Sequence, residues 1–246
     1  MIVLDICSGS DSSSIGFREL GYEVFSIDIN PDFNPSLVAD ITEINPDDLP
    51  LADAIVFAPP CEKLSITANN DGHWVKDEIA DIITPISPEA LLSVKIVNAG
   101  LGIIKNQIKR NPDVIYFIEN PVGKMRKLQI MQPYYKDTVC YCQYRDTRMK
   151  PTDIWHNSKV WFPRPMCKAC RDPGSIKEVD GIEWVFYYGK MCHQRAQRPI
   201  NAKDKSKQKG TMGLKTYEQR SKWPYQLSYE IAMATHKELE LMGVKA

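Results

Sequence analysis

The chain has 246 residues with 25% charged and 43% hydrophobic side chains, which is typical of a globular protein with one large domain, or with one large domain and a small insert. No apolar run approaches the ~20 residues of a membrane-spanning helix, and the first residues lack a basic secretion signal, so we expect no membrane association and no export. Seven unevenly spaced cysteines favour a reducing compartment over a disulfide framework, which predicts a cytoplasmic protein, and no obligate protein partner is evident.

The net charge of zero conceals two oppositely charged halves. Residues 1–122 contain 19 acidic and 7 basic side chains, whereas residues 123–246 contain 12 acidic and 24 basic ones. A basic half can be no more than a solvated surface, but a division this sharp is more typical of a region that binds a polyanion. The charge pattern therefore predicts a nucleic-acid partner that contacts mainly the second half.

The first thirty residues have the pattern of a nucleotide-binding βαβ unit. Strands are predicted over residues 2–7 and 22–29, with a polar turn and a short helix over residues 8–20 between them. The turn contains Gly9, which lets backbone N–H groups approach a ligand, and the second strand ends near Asp28, which can accept ribose hydroxyls. No Gly-Lys-Ser/Thr follows, so the turn is not a phosphate-binding P-loop.

Two later strands also end in residues that can carry chemistry. The strand predicted over residues 37–41 ends at Asp40, which can bind an adenine amino group or cap a helix. A buried strand over residues 54–58 leads into Pro59-Pro60-Cys61, whose prolines stiffen the turn and hold the cysteine at the carboxyl end of the strand. Cys61 is then either a reactive group or, as is common for a free thiol, an inert buried one.

The middle of the chain alternates a long loop, a helix and another strand. Residues 66–86 lack apolar periodicity, which predicts a lid or a disordered loop, and Ser87-Pro88 starts a helix that runs to about residue 110. A strand over residues 114–118 is followed by Glu119. A carboxylate there either has a task or caps a short helix predicted to follow.

Four short motifs occur in the order expected of one enzyme family. They are Asp5-Ile-Cys-Ser-Gly9, Pro59-Pro60-Cys61, Glu119-Asn120, and a segment from Tyr141-Cys-Gln143-Tyr-Arg145, which ends a strand predicted over residues 138–144, to Lys150-Pro-Thr-Asp-Ile-Trp155. Together they span residues 1–155 and resemble the cytosine-5 DNA methyltransferase family, especially its short bacteriophage forms. The resemblance implies an α/β fold with a Rossmann-like S-adenosylmethionine-dependent methyltransferase sheet and a small target-recognition insert, in a bacterial or phage-infected host cytoplasm.

The resemblance implies S-adenosyl-L-methionine as the cofactor, held by residues near the ends of the first four strands. These residues are Asp5, Cys7, Ser8, Gly9, Asp28, Ile29, Asp40, Ile41 and Pro59. One position departs from the family pattern, because Asp11 stands where a second glycine is usual. Either the turn is re-formed around the serines that follow, or cofactor binding is weakened, and the weakened case implies a catalytically silent DNA-binding homologue.

The resemblance also implies the catalytic residues. The Cys61 thiolate would add to C6 of cytosine and make C5 reactive towards the methyl group of the cofactor, while Glu119 would supply a proton at N3. Arg145 or Arg148 would hold the base O2 or a phosphate. The base must leave the duplex to be reached, and the loop after Cys61 would close over it. The implied activity is methyl transfer to C5 of cytosine in double-stranded DNA, with RNA as the alternative substrate.

Composition divides the rest of the chain into an insert and a closing helix. Residues 156–212 are rich in basic and aromatic side chains and include the basic run 201–210, so they are predicted to recognise the DNA target, although a solvated insertion has the same composition. Residues 213–246 are predicted to pack back, through an amphipathic helix over residues 227–242, on the catalytic domain of residues 1–155.

A zinc site is predicted within the insert. Cys167-Lys-Ala-Cys170 is a CxxC knuckle, and Cys192 and His193 supply two later ligands. Two adjacent residues bind one ion awkwardly, so His156 is an alternative fourth ligand. A structural zinc would stabilise a small polar insert that has little core of its own.

Overall fold

The computed structural model describes residues 1–65, 72–167, 176–187, 190–194 and 216–244. Its described strands, numbered in chain order, are β1 (Ile2–Ile6), β2 (Glu23–Asp28), β3 (Leu37–Val38), β4 (Ala54–Phe57), β5 (Trp74–Asp77), β6 (Ile82–Pro85), β7 (Ile115–Pro121), β8 (Lys136–Cys140), β9 (Pro151–His156), β10 (Ile176–Val179), β11 (Ile182–Tyr187) and β12 (Lys190–Gln194). Its described α-helices are α1 (Ile15–Glu19), α2 (Pro88–Arg110), α3 (Tyr217–Ser221) and α4 (Tyr225–Leu241).

Seven of these strands form one central sheet in the order β3-β2-β1-β4-β7-β9-β8. Strands β3, β2, β1, β4 and β7 pair in parallel, whereas β9 runs antiparallel between β7 and β8. Because β1 lies between β2 and β4, the chain leaves β1 on one side and later returns on the other, which creates a switch point at the carboxyl ends of the strands. The predicted α/β class with a Rossmann-like, largely parallel sheet is confirmed.

Apolar clusters cover both faces of this sheet. Inward side chains of β1 and β4 such as Leu4, Ile55 and Phe57 pack beneath α2 on one face. Alternate side chains of the same strands, such as Val3 and Val56, pack with residues of α1 and α4 on the other face. Strands buried on both faces are continuous hydrophobic runs, and this explains why β1 and β4 can be recognised from sequence.

The helix α2 begins and ends where the sequence predicts. The Ser87 hydroxyl accepts the Ala90 N–H at 3.2 Å, and Pro88 occupies the first turn, where its missing N–H costs nothing. Lys109 and Arg110 lie in the last turn, where positive charge interacts favourably with the helix dipole. One face of the helix, including Val97 and Ile104, is buried against the sheet.

Four predicted boundaries are wrong. The third strand ends at Val38 instead of residue 41, and the loop predicted over residues 66–86 contains the antiparallel hairpin β5–β6. Strand β7 continues through Glu119 to Pro121, so Glu119 is a strand residue that pairs with Ile154 and does not cap a helix. The strand predicted over residues 138–144 stops at Cys140, where a 3-10 helix, Tyr141–Tyr144, begins.

The described part of the insert is a three-stranded antiparallel sheet, β10-β11-β12. Among the described side chains of these strands, only Val185 and His193 are buried. The sequence therefore lacks the alternating apolar pattern from which strands are predicted. The basic run 201–210 lies outside the described residues. Helix α4 packs against α1, with Leu227 and Ile231 fully buried. Among the described residues, no helix is both long and apolar enough to cross a bilayer.

Candidate active site

The turn after β1 is held against the end of β2 by a carboxylate. Asp28 Oδ2 accepts the Gly9 N–H at 2.9 Å, and Asp28 Oδ1 accepts the Asn30 N–H at the same distance. Gly9 has a φ of +50°, a left-handed conformation that favours glycine, and a Cβ there would meet open space. The Ser8 hydroxyl is buried and has no hydrogen-bond partner among the described residues, so the turn presents an unsatisfied polar atom at the switch point.

Asp5 stabilises this turn from below. Its side chain is fully buried in β1, and the Ser13 hydroxyl lies 3.0 and 2.9 Å from its two oxygens. Burial raises the pKa of Asp5 to about 7 despite the hydrogen bonds from Ser14 and Ser13 that favour the ionised form. The structure therefore places Asp5, which the sequence assigns to cofactor binding, inside the protein as a support for the turn.

Asp11, the departure from the family pattern, is accommodated without an unpaired charge. It has a φ of +56°, and its carboxylate forms an ion pair with Arg18 of α1 at 2.7 Å. Asp11 N–H donates to the Ser8 carbonyl, and Ser14 N–H donates to the Asp11 carbonyl. The turn is thus re-formed by hydrogen bonds around Asp11 and the following serines, which is one of the two outcomes that the sequence left open.

The other predicted cofactor residues differ in exposure. Ile29 is 66% exposed just beyond β2, whereas Ile41 is 6% exposed and belongs to the core. Asp40 is exposed, and its Oδ1 accepts the Thr42 N–H at 2.9 Å, which lowers the pKa of its carboxyl group. Cys7 is half-buried against the core, where desolvation raises the pKa of its thiol, and Pro59 is buried.

Cys61 lies at the start of a tight turn beyond β4. Its carbonyl accepts the N–H groups of Leu64 and Ser65 at 3.1 and 2.9 Å, and its reduced thiol is half-buried. Ser65 forms a β-bridge with Gly123, and the Lys124 N–H donates to the Leu64 carbonyl. The turn that carries the thiol is therefore bonded to the segment that follows β7.

The Glu119-Asn120 motif meets the Pro59-Pro60-Cys61 motif directly. Strands β4 and β7 pair in parallel with Phe57 opposite Ile118, so both motifs leave the same edge of the sheet. The Asn120 Nδ2 donates to the Pro59 carbonyl at 3.0 Å, while the Asn120 Oδ1 is buried with no partner among the described residues. A thiol and a carboxylate that lie 58 residues apart in sequence are thus brought to one edge.

Two side chains hold the Glu119 carboxylate through a single oxygen. Glu119 is 5% exposed, and its Oε1 accepts the Tyr141 hydroxyl at 2.9 Å and lies 3.6 Å from the Lys150 Nζ. Lys150 also lies 4.7 Å from the centre of the Tyr141 ring. Burial, followed by the charge of Glu119, raises the pKa of Tyr141 well above its usual value, so the phenol stays a donor. The second oxygen, Oε2, has no such contact within the described part of the chain.

The two predicted arginines have different environments. Arg148 donates through Nε and Nη2 to Asp146, through Nη1 to the carbonyls of Gln219 and Arg220, and through Nη2 to that of Lys222. These contacts use all five guanidinium N–H groups, so none is left for a base or a phosphate.

Arg145, in contrast, is exposed. Its φ is +64°, an unusual value for a side-chain-bearing residue, and such residues occur often at functional sites. Both arginines line an open cavity of about 540 Å³ together with Tyr144, Trp223 and Tyr225, but the guanidinium group of Arg148 is occupied by the contacts described above. Of the two arginines, Arg145 is the one that can reach a ligand.

Three of the predicted metal ligands lie together. The ligand atoms of Cys167, Cys192 and His193 converge with that of Cys142, and all four lie within 4.8 Å of one another. Cys170 lies outside the described residues. His156 is not part of the group, because it lies in β9 with its Nε2 3.2 Å from Asp137.

Sequence reasoning gave no role to four residues of these sites: Asn120, Tyr141, Cys142 and Lys150. All four fall within or beside the motifs that carry the family resemblance, but a motif does not show which of its side chains face one another. The one available signal was the alternation along β7, which places Glu119 and Asn120 on opposite sides of the strand.

Neither a protein-family model nor a curated protein sequence matches the chain. The solved structures that are similar to it include three methyltransferases. S. pombe Dnmt2 methyltransferase has a TM-score of 0.43 and 13% identity, covering 74% of this chain and 57% of that one. A Spodoptera frugiperda DNMT2 mutant has a TM-score of 0.40 and 16% identity, covering 68% of this chain and 53% of that one. The Entamoeba histolytica methyltransferase EhMeth has a TM-score of 0.40 and 12% identity, covering 68% of this chain and 56% of that one. The chain thus spans less than two thirds of the length of each.

Proposed function

We propose that the protein is an S-adenosylmethionine-dependent methyltransferase that modifies C5 of cytosine in double-stranded DNA. The observation that carries this proposal is the hydrogen bond between Asn120 and the Pro59 carbonyl, which joins the cysteine motif to the glutamate motif. A thiol and a partly free carboxylate on one edge of a sheet, beside a nucleotide-type turn, form the set of groups that this reaction needs.

The turn after β1 and the end of β2 fit the cofactor. Asp28 keeps lone pairs beyond its two backbone contacts for ribose hydroxyls, and the exposed Ile29 offers an apolar surface to the adenine. The unpaired Ser8 hydroxyl and the open space at Gly9 leave room and a polar contact for the rest of the molecule. When bound, S-adenosylmethionine supplies an electrophilic methyl group.

Cys61 provides the nucleophile. Its thiolate adds to C6 of the cytosine, the S–C6 bond forms as the C5–C6 double bond breaks, and C5 becomes electron-rich enough to accept a methyl group. Removal of the C5 proton then restores the double bond and expels the cysteine. The turn bonded to Gly123 and Lys124 keeps the thiol at the edge where β7 ends.

Glu119 supplies the proton that makes this addition possible. Both of its described contacts go to Oε1, so Oε2 is available to N3 and the 4-amino group of the base. Tyr141 and Lys150 orient the carboxylate, and Lys150 supplies a compensating positive charge. Arg145 is the proposed contact for the base O2 or a phosphate, whereas Arg148 braces the segment before α4.

The net charge of +12 on the second half of the chain favours a nucleic-acid substrate, and the family that the four motifs resemble makes duplex DNA the proposed one. The target carbon is unreachable inside a duplex, so the cytosine is flipped out. Residues 66–71 of the proposed lid lie outside the described residues, and the hairpin β5–β6 occupies the rest of it.

Covalent trapping tests the proposal. Duplexes of random sequence that contain 5-fluorocytosine are incubated with protein and S-adenosylmethionine, because fluorine at C5 cannot leave as a proton does. Wild-type protein should form a complex that survives denaturing electrophoresis, Cys61→Ser should form none, and Cys140→Ala, which alters a buried thiol in β8, should still form it.

Two further outcomes would replace the proposal with its alternatives. Labelled methyl transfer to RNA but not to DNA would make RNA the substrate. Absence of heat with S-adenosylhomocysteine in calorimetry, together with retained DNA binding, would identify a catalytically silent DNA-binding protein.

A further inference from the structure

Four metal-binding side chains meet where the small sheet of the insert touches the 3-10 helix Tyr141–Tyr144. The Sγ atoms of Cys167 and Cys192 are 3.6 Å apart, and the His193 Nδ1 lies 3.3 Å from Cys192 Sγ and 3.9 Å from Cys167 Sγ. Cys142 completes the group, with all four ligand atoms within 4.8 Å of one another. Cys142 comes from the 3-10 helix that follows β8, Cys167 from the segment before β10, and the last two from β12.

The three separations among Cys167, Cys192 and His193, 3.3 to 3.9 Å, are close to those of a tetrahedral zinc shell, and Cys142 lies within 4.8 Å of all three. Zinc–sulfur bonds of about 2.3 Å and zinc–nitrogen bonds of about 2.0 Å place neighbouring ligands of a tetrahedron about 3.5–3.8 Å apart. A disulfide would need about 2.0 Å between sulfurs, so the thiols of Cys167 and Cys192 are not bonded to each other. We propose that Cys142, Cys167, Cys192 and His193 bind one structural zinc ion.

The pairing of β11 and β12 explains how adjacent residues can share one ion. Successive side chains of a regular strand point to opposite faces, which would separate Cys192 from His193. In this sheet Val185 pairs with His193 and Phe186 pairs with Met191, so Cys192 is the extra residue of a β-bulge. A bulge re-aims the side chain that it carries, and both ligands therefore point to the same site.

The proposed ion would join the insert to the main sheet beside the exposed Arg145. The insert has little core, since Val185 and His193 are the buried side chains among its described strand residues. Near the site, the Gln143 amide lies 3.6 Å from Cys192 Sγ, and the Gln194 N–H donates to the Thr147 carbonyl. An N–H group directed at a thiolate is a common support of a metal ligand. The zinc would thus replace the apolar burial that the insert lacks.

The proposed ligand set differs from the one predicted from the sequence at one position, because Cys142 takes the place of Cys170.

Purified full-length protein should contain one zinc per chain by elemental analysis. After exchange of zinc for cobalt, Cys142→Ser should lose about a third of the thiolate-to-metal charge-transfer intensity, because two thiolates remain of three. Cys140→Ala is the matched control, since Cys140 Sγ lies 3.3 Å from Cys142 Sγ but outside the group, and it should keep full intensity.

Alkylation of the wild-type protein gives an answer even if Cys142→Ser fails to fold. Mass spectrometry should show Cys142, Cys167 and Cys192 protected until a chelator is added, and then labelled together. Protection of Cys170 in place of Cys142 would overturn the proposed ligand set. A protein that binds no zinc, or one that shows a disulfide under non-reducing conditions, would overturn the site itself.

Discussion

The two halves of the candidate active site use their carboxylates in opposite ways. In the turn after β1, Asp5, Asp11 and Asp28 are bonded to serines, to Arg18 or to backbone N–H groups. Beyond β7, Glu119 is held through one oxygen and keeps the other for a ligand. The carboxylates of the first half mainly stabilise the turn, although Asp28 keeps lone pairs for the cofactor, whereas Glu119 of the second half keeps one oxygen for the chemical step. Substitutions of Asp5 or Asp11 should therefore affect mainly stability, and substitutions of Glu119 should affect rate.

The largest effect is expected at Glu119. Glu119→Gln keeps the size and the acceptor oxygen but cannot deliver a proton, so methyl transfer should fall about 10²–10⁴-fold with DNA affinity nearly unchanged. Tyr141→Phe removes the hydroxyl that donates to Oε1 but leaves the carboxylate in place, and it should cost about 10-fold. Single-turnover rates with saturating DNA measure both. Equal losses in the two variants would mean that Glu119 is structural, and the contrast between the halves would fail.

Asp5 should make the free energy of unfolding depend on pH, and an unfolding experiment is enough to detect this. In the unfolded chain the Asp5 carboxyl group loses its proton near pH 3.8, whereas in the folded protein its pKa is raised to about 7, so it stays protonated to a higher pH. The native state therefore binds more protons between these values, and this residue's contribution to stability falls as pH rises from about 4 to 7, by up to about 4 kcal/mol.

Asp5→Asn cannot titrate and should lack this contribution. Urea unfolding of both proteins at pH 4.5 and 7.5 isolates it, because the other carboxylates are common to both. The variant should gain stability relative to wild type at the higher pH. A difference between the two proteins that is the same at both pH values would show that Asp5 is not buried as a neutral acid.

A substitution at Gly16 is expected to have the smallest effect of these changes. It tests whether the packing of α1 on α4 supports the turn after β1. A Cβ at this position would lie 2.6 Å from the Tyr229 Cα and 2.7 Å from the Ser228 backbone, while the Gly16 N–H donates to the Ser228 hydroxyl. Gly16→Ala should force α1 from α4 and cost about 1–3 kcal/mol of unfolding free energy.

Gly102→Ala is the matched control for that substitution. Gly102 lies in the exposed face of α2, where a Cβ meets nothing within 4 Å, so alanine should stabilise the helix by about 0.5–1 kcal/mol. Thermal or urea unfolding measures both variants. Equal shifts of the same sign would indicate that α1 and α4 are not closely packed in solution.

The sequence was most informative where one local pattern determines one structure. Continuous apolar runs predicted β1, β4 and β7, and a serine-proline cap predicted the start of α2. It failed where long-range pairing prevails over local preference, as for the hairpin β5–β6 and the sheet of the insert, whose strands lack alternating burial. The 3-10 helix after Cys140 was missed because its residues continue the apolar pattern of the preceding strand.

The sequence by itself determined the α/β class and the order of the four motifs, because both follow from hydrophobic runs and from residue types at the ends of strands. Only the tertiary structure decided which side chains face one another. It distinguished Arg145 from Arg148 through the contacts of Arg148 and placed Tyr141 and Lys150 on Glu119. It also brought Cys142 to Cys167, Cys192 and His193, which lie 25 to 51 residues further along the chain. Those partnerships depend on strand order, on a bulge and on the packing of α4, none of which leaves a local trace in sequence.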